Sequence, residues 1–325
     1  MTEKFMITGS MGCIGAWVLR NLVDEDVEVV ATDLSTDPVR PGLLLSDEEL
    51  KEKITWAQLD VTDLDAVRSL VDKHGVTHIV HLAGLQIPFC RANPSLGSAV
   101  NVVGTVNMLE AARRGDVKGL SYASSLAVMA PAEDYPDRPV ADDVTLRPDT
   151  LYGIYKVANE GTARIYWQDW QVGSVGLRPY IVYGVARDQG MTSDIAKAVL
   201  AAAADKPFHI RFGSQVTLQH ANDAARIFIA CARAEYQGAT ACNLRNDVID
   251  VSEFVEKLTT VAPNAKITFE RDVPLPFPAD LDDSGLRSII GDVPHTPLED
   301  AIAQDMARFK TLLDAGKIDL GQLEN

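Results

Sequence analysis

The chain has 325 residues, 46% of them hydrophobic and 6% aromatic, which allows a substantial core and excludes disordered, collagenous and coiled-coil classes. Its length suits about two domains, or one large α/β unit with an appended lobe. Lys plus Arg number 30 against 46 Asp plus Glu, a formal net charge of −16. So negative a surface repels nucleic acid and anionic membranes, but says little about a small-molecule substrate, because a cleft carries its own local field. Cys13, Cys90, Cys231 and Cys242 form no C-x-x-C pair, and the N-terminus shows no basic segment followed by a long apolar one. No run of 18 apolar residues occurs, so a reducing, cytoplasmic setting is expected.

In chain order, strands are predicted at Phe5–Thr8, Val27–Asp33, Ile54–Asp60, His78–Ala83, Leu120–Ser125 and Val175–Arg178. Helices are predicted at Ile14–Leu22, Leu64–Lys73, Leu96–Arg114 and Ile154–Trp170, with Gly75 and Gly115 placed as helix C′ residues. Strand–helix alternation over this length predicts a doubly wound parallel sheet covered on both faces, of the Rossmann type. Beyond Pro179 the rhythm changes. A loop at Ala186–Ser193, a helix at Asp194–Ala204, an extended run at Phe208–Phe212 and a helix at Asn222–Tyr236 are expected. Pro and Asp from Pro274 to Pro297 disfavour regular elements. The expected division is a cofactor-binding unit over 1–180, completed by 213–247, and a smaller discontinuous lobe from 181–212 and 248–325.

Gly9, Gly12 and Gly15 occupy positions 1, 4 and 7 of the first strand-to-helix turn. Glycines there let backbone amides approach a pyrophosphate at a positively polarised helix N-terminus, with Gly15 expected to let the helix approach the sheet. A plain glycine-rich turn would read similarly, but the second strand ends on Asp33, eighteen residues beyond Gly15. A carboxylate there accepts from a ribose and repels a 2′-phosphate, so NAD is expected over NADP.

Tyr152-Gly153-Ile154-Tyr155-Lys156 places a phenol and an ammonium at i and i+4, on one helix face. An adjacent ammonium, together with a positively charged nicotinamide, is expected to stabilise the phenolate and bring the phenol's pKa down, making it a usable base. A third hydroxyl comes from Ser124 or Ser125 at the end of a predicted strand. Each piece alone is commonplace on amphipathic helices and strand ends; their order along the chain together with the glycine loop is not. His78 and His81 lie three apart on a strand, no H-E-x-x-H is present, and no metal site is expected. Ser124–Ser125 also lacks the G-x-S-x-G elbow of a hydrolase.

With these residues the chain resembles the extended short-chain dehydrogenase/reductase family, the group of NAD-dependent sugar epimerases and dehydratases, over roughly residues 4–325. The resemblance implies an NAD site formed by Gly9, Met11, Gly12, Cys13, Ile14 and Gly15, with Asp33 and Leu34 at the ribose. It places Asp60 and Val61 at the adenine edge, and Leu82, Ala83, Gly84, Asn101, Ser124 and Tyr180 along the cofactor. Ser125 would be the catalytic hydroxyl, with Tyr152 the base and Lys156 its helper. Gln86, Ser125, Arg187 and Arg211 are the candidate substrate contacts. The implied activity is hydride transfer to NAD from a hydroxyl-bearing carbon of a small sugar, sugar acid or polyol. An NAD-retaining epimerase is the alternative, and a non-catalytic NAD(H) sensor a further one. Nucleotide-sugar members carry an Asn where this chain has Ile181, and an Arg where it has Val216. A homodimer is expected through Leu96–Arg114 and Ile154–Trp170, which carry Ala99, Val102, Val103, Val106, Ala158, Ala163 and Tyr166.

Overall fold

Strand side chains alternate between two apolar layers: Phe5 and Ile7 of the first strand enter one core, Met6 between them the other. A computed structural model describes residues 2–324. The chain begins with β1 (Lys4–Thr8), α1 (Cys13–Asp24), β2 (Glu28–Asp33), α2 (Asp47–Glu52), β3 (Ile54–Gln58), α3 (Leu64–His74) and β4 (His78–His81). Next come α4 (Ile87–Ala92), α5 (Pro94–Ser98), α6 (Gly104–Arg114), β5 (Gly119–Ala123), α7 (Leu151–Trp170), β6 (Ser174–Arg178) and β7 (Ile181–Tyr183). The remainder is α8 (Asp194–Ala203), β8 (Pro207–Ile210), β9 (Gln215–His220), α9 (Ala221–Arg233), β10 (Ala239–Asn243) and β11 (Asp247–Asp250). It closes with α10 (Val251–Val261), β12 (Lys266–Phe269), α11 (Ser284–Ile290) and α12 (Leu298–Asp314).

Seven strands form one sheet in the order β10-β6-β5-β4-β1-β2-β3, with every neighbour parallel. The order reverses between β1 and β4, and ligands of doubly wound sheets bind at such a switch point. Helices α1 and α9 cover one face, and α3, α6 and α7 the other. Of the stretch 213–247, α9 and β10 join this unit, whereas β9 pairs with β7 and β11 in a separate three-stranded sheet. That sheet, with α8, α10 and α12, surrounds the core of the lobe, including Ile195, Val199, Leu218, Phe254 and Ile302.

Four expectations are corrected. The helix predicted over Leu96–Arg114 is interrupted by a π turn at Ala99–Val103. There the buried Asn101 side chain bonds the carbonyls of Gly97 and Leu85, and Gly104 packs so close to Val61 that a Cβ would lie 2.8 Å from its methyl. The Pro- and Asp-rich tract contains a helix after all, α11. Asp282 accepts from both Ser284 N–H and its hydroxyl at the helix start, and Leu286 is fully buried against the main sheet's core. Gly115 ends α6 in extended backbone, while Gly75 alone takes the left-handed C-terminal form, with φ 61°. The helix predicted from Ile154 begins at Leu151, because Thr150 caps it by accepting from Gly153 N–H at 3.0 Å.

Ala163 and Tyr166 are buried in the main core, but Leu96 and Val103, and Leu151, Ile154, Ile165 and Trp170 of α7, remain exposed. Among the described residues no helix is long and apolar enough to cross a membrane.

Candidate active site

The loop after β1 is shaped by close backbone approaches. Gly9 has φ 69°, and a Cβ on it would lie 2.7 Å from Ala83 N, so β1 and β4 can meet only over glycine. At Gly15 a Cβ would fall 2.3 Å from Gly9 O and 2.8 Å from Ser10 Cα. Gly15 therefore lets α1 close on the loop's own backbone, a correction to the expected packing on the sheet. No side chain caps the first turn of α1 and no acid lies in it. Its amides face a cavity lined by Gly9, Gly12, Cys13, Ile14 and Gly15. This cradle suits an anionic pyrophosphate.

Beside it, Asp33 accepts from Met11 N–H at 3.0 Å and from Leu34 N–H at 2.8 Å, which fixes its carboxylate at the loop's outer end. Leu34 is exposed. Asp60 is exposed and accepts from the Thr62 N–H and hydroxyl, while Val61 is buried against Gly104. Leu82 and Gly84 line the cavity, with Ala83 between them on Gly9. Asn101 holds this loop through Leu85 O at 3.1 Å, and its Oδ1 has no partner among the described residues. Tyr180 lines the cavity edge-on to Phe277, and its hydroxyl is also shut from solvent without a partner. Two orphaned polar atoms and an uncapped glycine cradle fit a bound dinucleotide.

The two serines separate by role. Ser124 donates to Glu160 Oε1 at 2.5 Å, and Glu160 in turn takes Arg178 in a two-pronged ion pair at 2.8 and 2.9 Å. Ser125 instead accepts from Ala127 N–H at 3.2 Å and lines the cavity with Tyr152. Lys156 is buried, donates to Ala123 O at 2.7 Å, and places its Nζ 5.5 Å from the Tyr152 ring centre. The structure thus gathers Ser125, Tyr152 and Lys156 on one wall. The protein groups alone do not lower the phenol's pKa. Burial raises it above 10, with the Ser125 hydroxyl and the Arg187 charge pulling the other way.

Arg187 and Gln86 also line the cavity, which holds about 290 Å³. Arg211 does not. Its backbone N–H and guanidinium bind Asp194 at 2.7 to 2.9 Å at the start of α8, and it is corrected to a structural residue. The sequence reading missed Met191, Thr192 and Phe277 in the wall, and Glu160 behind it. Glu160 carried a signal: it follows Lys156 by four residues on the same face of α7. Among the described residues no cluster of His, Cys, Asp or Glu is arranged to hold a metal.

Burial lowers the Lys156 ammonium from 10.5 to about 8. Between those values the unfolded chain holds the proton that the folded chain has released, so this group's penalty on folding is full at lower pH and fades as pH rises. Lys156→Met should therefore raise Tm by several degrees at about pH 7, with a smaller gain at about pH 9.5, and abolish turnover. Calorimetry of both proteins at the two pH values checks this; a Tm gain that grows with pH contradicts it.

Residues 5–244 match the NAD dependent epimerase/dehydratase family. An uncharacterised protein of Methanocaldococcus jannaschii is 33% identical over 189 residues, which span 56% of this chain and 57% of that protein. The L-threonine dehydrogenase of Clostridium difficile is similar in structure, with a TM-score of 0.80 at 22% identity over 95% of this chain and 98% of that one. UDP-glucose 4-epimerase of Thermotoga maritima gives a TM-score of 0.80 at 18% identity, over 95% and 99%. The fold is shared with both, and the match over most of its length shows that the chain belongs to the NAD-dependent epimerase/dehydratase family.

Proposed function

We propose that this enzyme oxidises a hydroxyl-bearing carbon of a small substrate and releases NADH. The observation that carries the reading is the wall of Ser125, Tyr152 and Lys156 facing the same cavity as the glycine cradle. Bound NAD supplies the hydride acceptor. Ser125 donates to the substrate oxygen, and Tyr152 receives the hydroxyl proton as the carbon–hydrogen bond yields its hydride. Lys156 and Arg187 supply the positive field in which a buried phenol can ionise. Asp33, fixed by Met11 and Leu34, reads the ribose hydroxyls and disfavours a 2′-phosphate.

The epimerase alternative on a nucleotide sugar has less support. Ile181 and Val216 stand where such enzymes place polar donors, and both are fully buried in the lobe's core. Arg211, the other candidate anchor, is occupied by Asp194. L-threonine dehydrogenases among the structural neighbours show that this fold also accommodates small hydroxylated substrates that carry no nucleotide. Incubation with UDP-glucose should give neither rapid epimerisation nor NADH.

We further propose a homodimer through the surface that exposes Leu96, Val103, Leu151, Ile154, Ile165 and Trp170.

Tyr152→Phe should retain NAD binding and lose ~10²–10⁴-fold in turnover; near wild-type turnover would remove Tyr152 from the chemistry. Ratios of kcat/KM should favour NAD over NADP, and Asp33→Ser should narrow the preference; an unchanged ratio means another residue reads the ribose. Light scattering at micromolar concentration should return about 70 kDa, twice the 35.3 kDa of one chain.

A further inference from the structure

A site that only removes hydride and a proton from a neutral alcohol has no need of a second cation in its wall, yet the half-buried Arg187 supplies one. Among the described residues its Nε is shut from solvent without a partner, and its guanidinium makes one hydrogen bond, from Nη2 to Thr192 Oγ1 at 3.4 Å. The neighbouring acid, Asp188, is taken by Arg40, whose Nη2 lies 2.9 Å from Asp188 Oδ1 and whose Nε lies 3.0 Å from the same oxygen. Burial already pulls Arg187 below the usual arginine value. Guanidinium groups placed in this way are costly unless an anion completes them.

The backbone around Arg187 is held for this purpose. Val185 donates its N–H to Asp305 Oδ1 at 3.3 Å and accepts from Trp17 Nε1 at 2.9 Å. Gly184 and the buried Ala186 flank it with φ 125° and 75°, and strain of that kind at a non-glycine residue persists only where the surroundings enforce it. Gly190, with φ 104°, keeps space at the guanidinium: a Cβ there would lie 2.9 Å from Arg187 Nη2 and 3.0 Å from Gln86 Oε1. The rest of this wall is apolar, formed by Ile87, Met191 and Phe277.

We infer that the substrate is a hydroxy acid whose carboxylate is bound by Arg187, with Thr192 beside it, so that its carbinol lies at Ser125 and Tyr152. The inference rests on the dehydrogenase reading above and names its substrate class. One uncompensated cation matches one negative charge, and the planar fork of a guanidinium matches a carboxylate in two-pronged form.

The test uses the NAD-saturated protein. Saturable thermal shifts and NADH formation are measured with D-gluconate, D-galacturonate, L-threonate and L-threonine, against sorbitol, D-galactose, threitol and D-glucose 6-phosphate. At least one acid should exceed its neutral counterpart in kcat/KM by roughly 100-fold, as expected for charge-assisted hydrogen bonds. Arg187→Met should bring that ratio to within a few-fold of one, Arg187→Lys should restore part of it, and both should bind NAD within a few-fold of wild type. The inference is overturned if the preference survives Arg187→Met, if no acid binds saturably, or if the sugar phosphate takes the Arg187-dependent binding instead. It is equally overturned if Arg187→Met weakens NAD itself about 100-fold, which would assign the guanidinium to the cofactor's pyrophosphate. Arg187-dependent acid binding without NADH keeps the carboxylate site and removes the dehydrogenase reading; NADH from neutral polyols alone does the reverse.

Discussion

The ion pair between Arg178 and Glu160 governs how this site is assembled. Its side chains are 4% and 10% exposed, and it joins the last residue of β6 to the middle of α7. Arg178 also donates to Asp142 O at 2.8 Å and to Asn243 Oδ1 at 3.3 Å, while Glu160 accepts from Ser124. The pair therefore fixes the rotation of α7 against the sheet, and with it the direction of Lys156 and Tyr152, about one and two turns away. It also fixes the strand end that bears Ser125. Removing one partner from such a pair costs about 3–5 kcal/mol, since the other is left as a buried unpaired charge.

Charge is distributed unevenly between surface and site. The chain carries a formal charge of −16, yet the groups turned into the cavity from its walls are Lys156 and Arg187. Acids near them are already engaged: Asp188 with Arg40, Glu160 with Arg178, Asp305 with His220 at 3.3 Å. An anionic cofactor or substrate thus meets a locally positive pocket whose field is strengthened by the absence of water-screened counter-charges.

Most of the sheet is legible in the sequence because its strands are short apolar runs at the spacing of βαβ units, which marks six of its seven strands. The seventh, β10, reads Ala-Thr-Ala-Cys-Asn and lacks the β-branched density of the others; it forms because β6 offers a parallel edge. The wall of the candidate site was legible from Tyr152 and Lys156, since i and i+4 fix a helix face regardless of tertiary context. Context decided the rest. Nothing local distinguishes Ser124 from Ser125 until Glu160 claims the first. Arg187 and Arg211 look alike in sequence, and only the position of Asp194 sends one to structure and leaves the other in the cavity. The sign of the phenol's shift also depended on burial, a property of the whole site.

The path of the chain between sheet and lobe has a consequence for how this molecule can be divided. It leaves the main sheet after β6, returns with α9 and β10, leaves again for β11 and α10, and returns once more with α11 before α12 closes the lobe. A fragment ending near residue 180 would expose the free edge of β6 and strip the apolar face of α1 that α9 covers. The lobe therefore cannot be exchanged between relatives as a cassette by a single splice. Diversification of substrate range within this architecture has to proceed by substitution in the loops at 86–88, 187–192 and 277, around a scaffold that is inherited whole.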